Sequence, residues 1–223
     1  MTCRTNRLMT ILRVAPFLFA LNTSSHAMAV DEKGQPPVAA PISAATSIHS
    51  LASNMKVGDI VFIRVSAKPF REVASATNSW TNHVGIVIDT SGEEPKIGES
   101  TFPLSRTTTL TKFVARSEHG RVAVARPETE LSTAQKQLVY LAASRRSGIL
   151  YDTGFDIHSH RQFCSRYVRE VLNEATGVNI GEIETFSTLL THRPETDLGF
   201  WKVWYFGHIP WERETVTPAS LLA

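Results

Sequence analysis

Two cysteines, Cys3 and Cys164, occur in this 223-residue chain, and the second stands where a cysteine can do chemistry. Cys164, Tyr167, Val168, Val171, Leu172 and Ala175 recur with the spacing of one apolar helical stripe, and Gly177 supplies its stop. Cys164 is therefore expected on the inward face of the first turn. A thiol attacks carbonyl carbon only as the thiolate, so a catalytic cysteine needs its pKa lowered from about 8.5 by a positive neighbour or a helix N-terminus. A helix start offers the latter, and its unpaired N–H groups can hold the oxyanion of a tetrahedral intermediate. The other reading of a single cysteine is a small buried hydrophobe, and residue type alone does not choose between them.

A base is required next. Of the eight histidines, His83 opens the apolar run Val84-Gly85-Ile86-Val87-Ile88, which reads as a strand and gives the imidazole a rigid mount. A structural histidine would look the same. His49, His119, His192 and His208 lie in loop-like or polar stretches, and His26 belongs to the leading segment. His158 and His160 precede Cys164 closely, but third and fourth metal ligands at recognisable spacing are absent. A third group must hold the other imidazole nitrogen. Glu99 lies on the strand expected after the hairpin that follows His83's strand; it also reads as a surface strand carboxylate. Asp89, Glu93 and Glu94 read as solvated turn charges.

The elements that must position these groups form an α+β pattern. Lys56-Val57-Gly58-Asp59 is a turn into the β-branched strand Ile60–Val65. Pro69 opens a short helix over 69–79, and strands follow at His83–Ile88, Lys96–Ser100 and Arg121–Ala125. The connections after residues 88 and 100 are too short for crossover helices, so the sheet should be small and largely antiparallel. Ser132 and Gln135 have the form of a capping box for a helix through about Arg146, ended by Gly148. Residues 200–211 hold Trp201, Trp204 and Trp211 with Phe200, Tyr205 and Phe206. They read either as a final core or edge segment or as the wall of an apolar substrate groove.

The first 29 residues carry Arg4, Arg7 and Arg13 without an acid, then the apolar run Val14–Leu21, then Ala27-Met28-Ala29. This is the grammar of a secretory signal peptide cleaved after Ala29. The run is shorter than the ~20 residues of a membrane anchor and is interrupted by Pro16. Residues 30–47, rich in Pro, Ala, Ser and Gln, read as a flexible linker, and one domain is expected over 48–223. Removing three arginines and no acid takes the formal charge from +2 to −1, which gives nucleic-acid binding little electrostatic support. Cleavage would leave Cys164 alone, so no internal disulfide is expected. No Gly-x-Ser-x-Gly elbow and no zinc-hydrolase or deaminase motif is present.

Gly58–Phe62, Asn82–Val87, Gly98–Ser100, Tyr151–Phe155 and Gln162–Ser165, in this order, resemble the successive motifs of the YiiX/YebB-like permuted papain-fold amidases. These are relatives of NlpC-type cell-wall peptidases and of lecithin:retinol acyltransferase. The resemblance runs from about Gly58 to about Pro218, and the stretches Glu182–Phe186 and Ile209–Arg213 look most similar to the YebB-like branch. It implies a circularly permuted papain-like (NlpC-type) fold, in which the His-bearing strand precedes the Cys-bearing helix. By motif match it implies Cys164 as nucleophile, His83 as base, Glu99 as the orienting residue and Tyr151 as a residue lining the substrate site. The expected activity is hydrolysis of an amide, or of an ester, through an acyl-enzyme, without cofactor or metal. Acyl transfer on lipid acyl groups and a non-catalytic peptide- or lipid-binding module are the alternatives. The expected partner is a peptide, cell-wall or lipid substrate, with no membrane span in the mature chain and a periplasmic location.

Overall fold

The computed structural model describes residues 14–15, 44–191 and 196–223. Its centre is a six-stranded sheet whose neighbouring strands all run antiparallel. After a two-residue strand β1 (Val14–Ala15) and helix α1 (Ala44–Ser53), β2 (Ile60–Val65) leads through α2 (Lys68–Ala76) into β3 (His83–Asp89). A meander follows through β4 (Lys96–Glu99) and β5 (Arg106–Thr109), then α3 (Leu110–Val114) and the long β6 (Ser117–Ala125). The order across the sheet is β1-β6-β2-β3-β4-β5. The strand read over 121–125 thus starts earlier, at Ser117, and β5 completes an edge that the apolar pattern does not announce.

Both faces of this sheet are covered, which is why β2 reads as an unbroken apolar run rather than an alternation. Ile60, Phe62, Val84 and Ile86 face α4 (Thr133–Arg145) and α5 (Cys164–Thr176), meeting Val139, Tyr167, Val168 and Val171. Val61, Ile63, Val87 and Ile97 face the other way, against Met55, Leu110, Phe113 and Val114. The α4 capping box forms as read, with Ser132 Oγ accepting from the Gln135 N–H and the Gln135 side chain accepting from Ser132 N–H. Gly177 ends α5 in the left-handed conformation at φ 75°, which glycine adopts without steric cost.

The last third of the chain builds a second layer. The hairpin of β7 (Ile183–Thr185) and β8 (Glu214–Val216) brackets α6 (Phe186–Thr191) and α7 (Leu198–Trp204), and α8 (Pro218–Leu222) closes on α5. Phe186, Leu190, Trp201 and Ile209 form a separate buried cluster that also takes Ala76 of α2.

The amino-terminal boundaries differ from the sequence reading in one place. Helix α1 begins at Ala44, inside the segment read as linker to residue 47. Ile48, Leu51 and Ala52 pack on the second core cluster, and the preceding Ala44-Ala45 are strong helix formers that extend the turn backward. The leader assigned to residues 1–29 lies outside the described residues except for Val14–Ala15, which pair with Ala125 and Val124 of β6. Among the described residues, no helix is long and apolar enough to cross a membrane.

Candidate active site

Three elements converge on one imidazole. His83 is the first residue of β3 and is wholly buried. Just before it, Asn82 mimics a strand residue: its side chain accepts from Val65 N–H at 2.7 Å and donates to the Val65 carbonyl at 3.0 Å, fixing where β3 begins. The β3–β4 register sets Ile86 opposite Gly98, so Glu99, also fully buried, follows on the strand beside His83. His83 Nε2 and Glu99 Oε2 are 2.7 Å apart. The imidazole is also held by rings: Phe113 stacks on it at 5.6 Å and Phe70 meets it edge-on at 5.6 Å. That stacking requires glycine at position 85, where a Cβ would lie 2.6 Å from Ile97 Cγ2 and 2.9 Å from Phe113 Cε2.

With Nε2 engaged by Glu99, Nδ1 is the nitrogen left to serve the thiol. It is buried and makes no well-formed hydrogen bond of its own, yet Cys164 lies close enough to act on its proton affinity. Burial by itself would depress the imidazole; the Cys164 thiol and the Glu99 carboxylate outweigh it and push His83 up from 6.5 to about 9. Burial works against Glu99 too, and the hydrogen bonds and charges of His83 and Arg116 reverse it, holding the carboxyl at about 2.

Cys164 is the first residue of α5, and no side chain caps that helix. Its first-turn N–H groups are therefore not taken by a capping side chain. The thiol's other neighbour is Tyr151. A short parallel bridge between Tyr151 and Gln162 carries the phenol to the helix start. The Asp152 N–H and Ser100 Oγ both donate to the Gln162 carbonyl, at 2.7 and 3.0 Å, and the Gln162 N–H donates to the Leu150 carbonyl at 3.0 Å. Burial and then the proximity of Cys164 drive the Tyr151 phenol well above its ordinary value, so it remains a protonated donor beside the sulfur.

Though only 4% exposed, Cys164 is not sealed in. Together with Tyr151 it borders a cavity of about 370 Å³ whose walls include Phe70, Val73, Phe155, Leu190, Trp201 and Trp204. No Asp, Glu, Lys or Arg lines it among the described residues. The aromatic stretch read over 200–211 thus divides. Trp201 and Trp204 on α7 wall the cavity, whereas Phe206 and Trp211 stay outside it and are exposed.

The structure brings Cys164, His83, Glu99 and Tyr151 together. His158 instead pairs on the surface with Glu214 at 2.8 Å, and His160 is exposed. Among the described residues, no three His, Cys, Asp or Glu side chains are grouped to hold a metal ion. Sequence reasoning missed Arg106 and Arg116, which both bond to Glu99. It also missed the residues that tie the Tyr151 segment down. Trp204 Nε1 donates to the Thr153 carbonyl, and Tyr205 Oη and Arg213 Nη1 donate to that of Gly154, at 2.9, 3.2 and 2.9 Å. The Gly58-Asp59 motif is structural: Asp59 accepts two bonds from Arg126 at 2.7 Å and one from Lys56 N–H at 2.8 Å.

This geometry agrees with the comparisons to known proteins. Residues 54–223 match the model of the permuted papain-like amidase enzymes of the YaeF/YiiX, C92 family. The uncharacterized protein YiiX of Escherichia coli (strain K12) is 28% identical over 180 residues, covering 81% of this chain and 88% of that protein. The crystal structure of the metalloprotein YiiX from Escherichia coli O157:H7 superposes with a TM-score of 0.68 at 28% identity, covering 74% of this chain and 91% of that one. A histidine-bearing strand ahead of a cysteine-bearing helix, on an antiparallel sheet packed by helices, is the permuted papain-like arrangement, and the chain belongs to the permuted papain-like amidase family YaeF/YiiX.

Proposed function

We propose that the protein is a cysteine hydrolase that cleaves an amide, or an ester, whose acyl group is apolar. The observation that carries this reading is His83 wedged between a buried carboxylate and a thiol at a helix start, with the thiol opening on an uncharged cavity. In the first half-reaction, Cys164 Sγ, having given its proton to His83 Nδ1, attacks the carbonyl carbon. The first-turn N–H groups of α5 and the Tyr151 hydroxyl hold the oxyanion. Collapse breaks the C–N or C–O bond, and the His83 imidazolium gives its proton to the leaving group. In the second, His83 takes a proton from water, the hydroxide attacks the thioester, and the acid leaves as the thiol is restored.

The cavity supports one substrate class above the others. Its volume falls within the roughly 300–1,000 Å³ of small-molecule sites, and its walls offer a charged peptide nothing to pair with, so burying such a chain there would leave charges uncompensated. An aliphatic acyl chain meets mainly apolar walls. The same observation favours acyl transfer as the second reading, with the acyl group released to an amine or hydroxyl in place of water; an acylated product rather than the free acid would identify it. A metal-dependent reading, prompted by the naming of the E. coli O157:H7 protein, finds no donor set among the described residues. Export to the periplasm belongs to the same proposal, and the mature amino terminus of protein recovered from that compartment should begin at Val30.

The test is labelling with a thiol-reactive probe. Wild-type protein should react at neutral pH far faster than a free thiol of ordinary pKa, and Cys164→Ala should not react; equal labelling of the two defeats the assignment.

A further inference from the structure

The carboxylate that orients His83 is itself held by two cations. Arg116, in the turn between α3 and β6, places Nη2 2.6 Å from Glu99 Oε2, the same oxygen that His83 engages. Arg106 stands directly across the β4–β5 ladder from Glu99 and brings Nε within 3.2 Å of Oε1. The arginines differ in setting: the Arg106 side chain is 52% exposed and that of Arg116 29%. Arg116 has a second hold on the site, since its guanidinium lies 5.0 Å over the Phe113 ring that also stacks on the His83 imidazole.

We infer that Arg116 is a positioning residue that sets the working pH of the Cys164–His83 pair by neutralising Glu99. This rests on the hydrolase reading above. An uncompensated carboxylate against Nε2 would clamp the imidazolium proton and oppose the thiolate that must form beside it. A carboxylate shared with a guanidinium still fixes the ring and its tautomer while adding little net negative charge. The remaining groups facing the pair are Tyr151, held protonated beside the thiol, and Tyr167 of α5, whose phenol is raised by burial and lies close enough to feel Glu99. The charge of Asp152 also acts on Tyr151. None of these supplies the positive charge that Arg116 and Arg106 do.

The experiment is the pH dependence of alkylation of Cys164 by iodoacetamide, which needs no substrate. Wild-type protein should react at neutral pH and show a further rise in rate near pH 9 as the imidazolium loses its proton. In Arg116→Gln that rise should move to higher pH by about one unit, a tenfold gain in proton affinity. Arg116→Lys, which keeps the charge, should recover most of the shift, and Arg106→Gln should move the profile less. Arg116→Gln and Arg116→Lys profiles that overlay the wild type, with at most a uniform loss of rate, overturn this inference and leave the hydrolase reading standing. A wild-type rate at neutral pH no faster than that of a free thiol removes that reading, and this inference with it.

Discussion

An imidazole is useful to a thiol only if one nitrogen is tied and the other free, and His83 satisfies both conditions because Glu99 takes Nε2. The consequence for stability has a definite sign. The His83 value of about 9 lies above the ordinary 6.5, so imidazolium stabilises the fold fully below about pH 6.5 and that contribution disappears as pH climbs through 9. Glu99 acts oppositely: held at about 2, its contribution is complete above about 4.5 and fades as pH falls towards 2. Urea midpoints measured from pH 6 to 10 should therefore fall more steeply for wild type than for His83→Gln, and parallel slopes would refute the charged pair. His83→Ala should also lose its fast thiol labelling at neutral pH. Cys164 and His83 could be found in the sequence because each sits on an element with its own apolar period, whereas Glu99 is singled out by the Gly98–Ser100 motif of the family resemblance. The arginines on Glu99 could not be found. Arg106 lies on β5, whose Arg-Thr-Thr-Thr buries no residue fully and exists because β4 offers it a ladder; Arg116 lies in a turn.

Among the elements, close approach rather than propensity decides the geometry of the site. At Gly98 a Cβ would stand 2.6 Å from Tyr167 Oη and 3.0 Å from Ile88 Cγ2, so β4 can meet α5 only without a side chain there. Gly98→Ala should push α5 away from the sheet. An overpacking cost of about 1–3 kcal/mol follows, visible as a lowered melting temperature. Because α5 carries Cys164 and β4 carries Glu99, thiol labelling at neutral pH should slow in the same variant, and labelling at the wild-type rate would show that the sulfur does not depend on this contact. The helices legible in the sequence were those with a stripe, a cap or an opening proline: α5, α4 and α2, the last read over 69–79 and found at Lys68–Ala76. Helix α7 was not, since Leu-Gly-Phe-Trp-Lys-Val-Trp mixes glycine with aromatic and β-branched residues of weak helix propensity. Its helix is set by the Asp197 cap on the Phe200 N–H at 3.0 Å and by burial of Trp201.

At the scale of the molecule, the split between two layers explains why the site is both rigid and hollow. The sheet with α4 and α5 buries apolar side chains on both faces and fixes the polar groups, whereas α2, α6 and α7 meet through large aromatic residues that leave the cavity of about 370 Å³ beside Cys164. The fold class was readable from the strand spacing and the short connections; the hollow was not, because it depends on how α7 returns over the Tyr151 segment through the Trp204, Tyr205 and Arg213 bonds. That hollow makes a quantitative demand on substrates. Each methylene moved from water into it is worth about 0.8 kcal/mol, so for a series of esters of one alcohol, kcat/KM should rise about fourfold per added acyl carbon until the cavity is filled. The rise should then stop. Trp204→Ala enlarges the space and releases the Thr153 carbonyl, so it should move the break to longer chains while lowering the rate with short ones. A flat dependence on chain length, or faster turnover of charged cell-wall peptide amides than of neutral acyl esters, would mean that the cavity does not receive the acyl group.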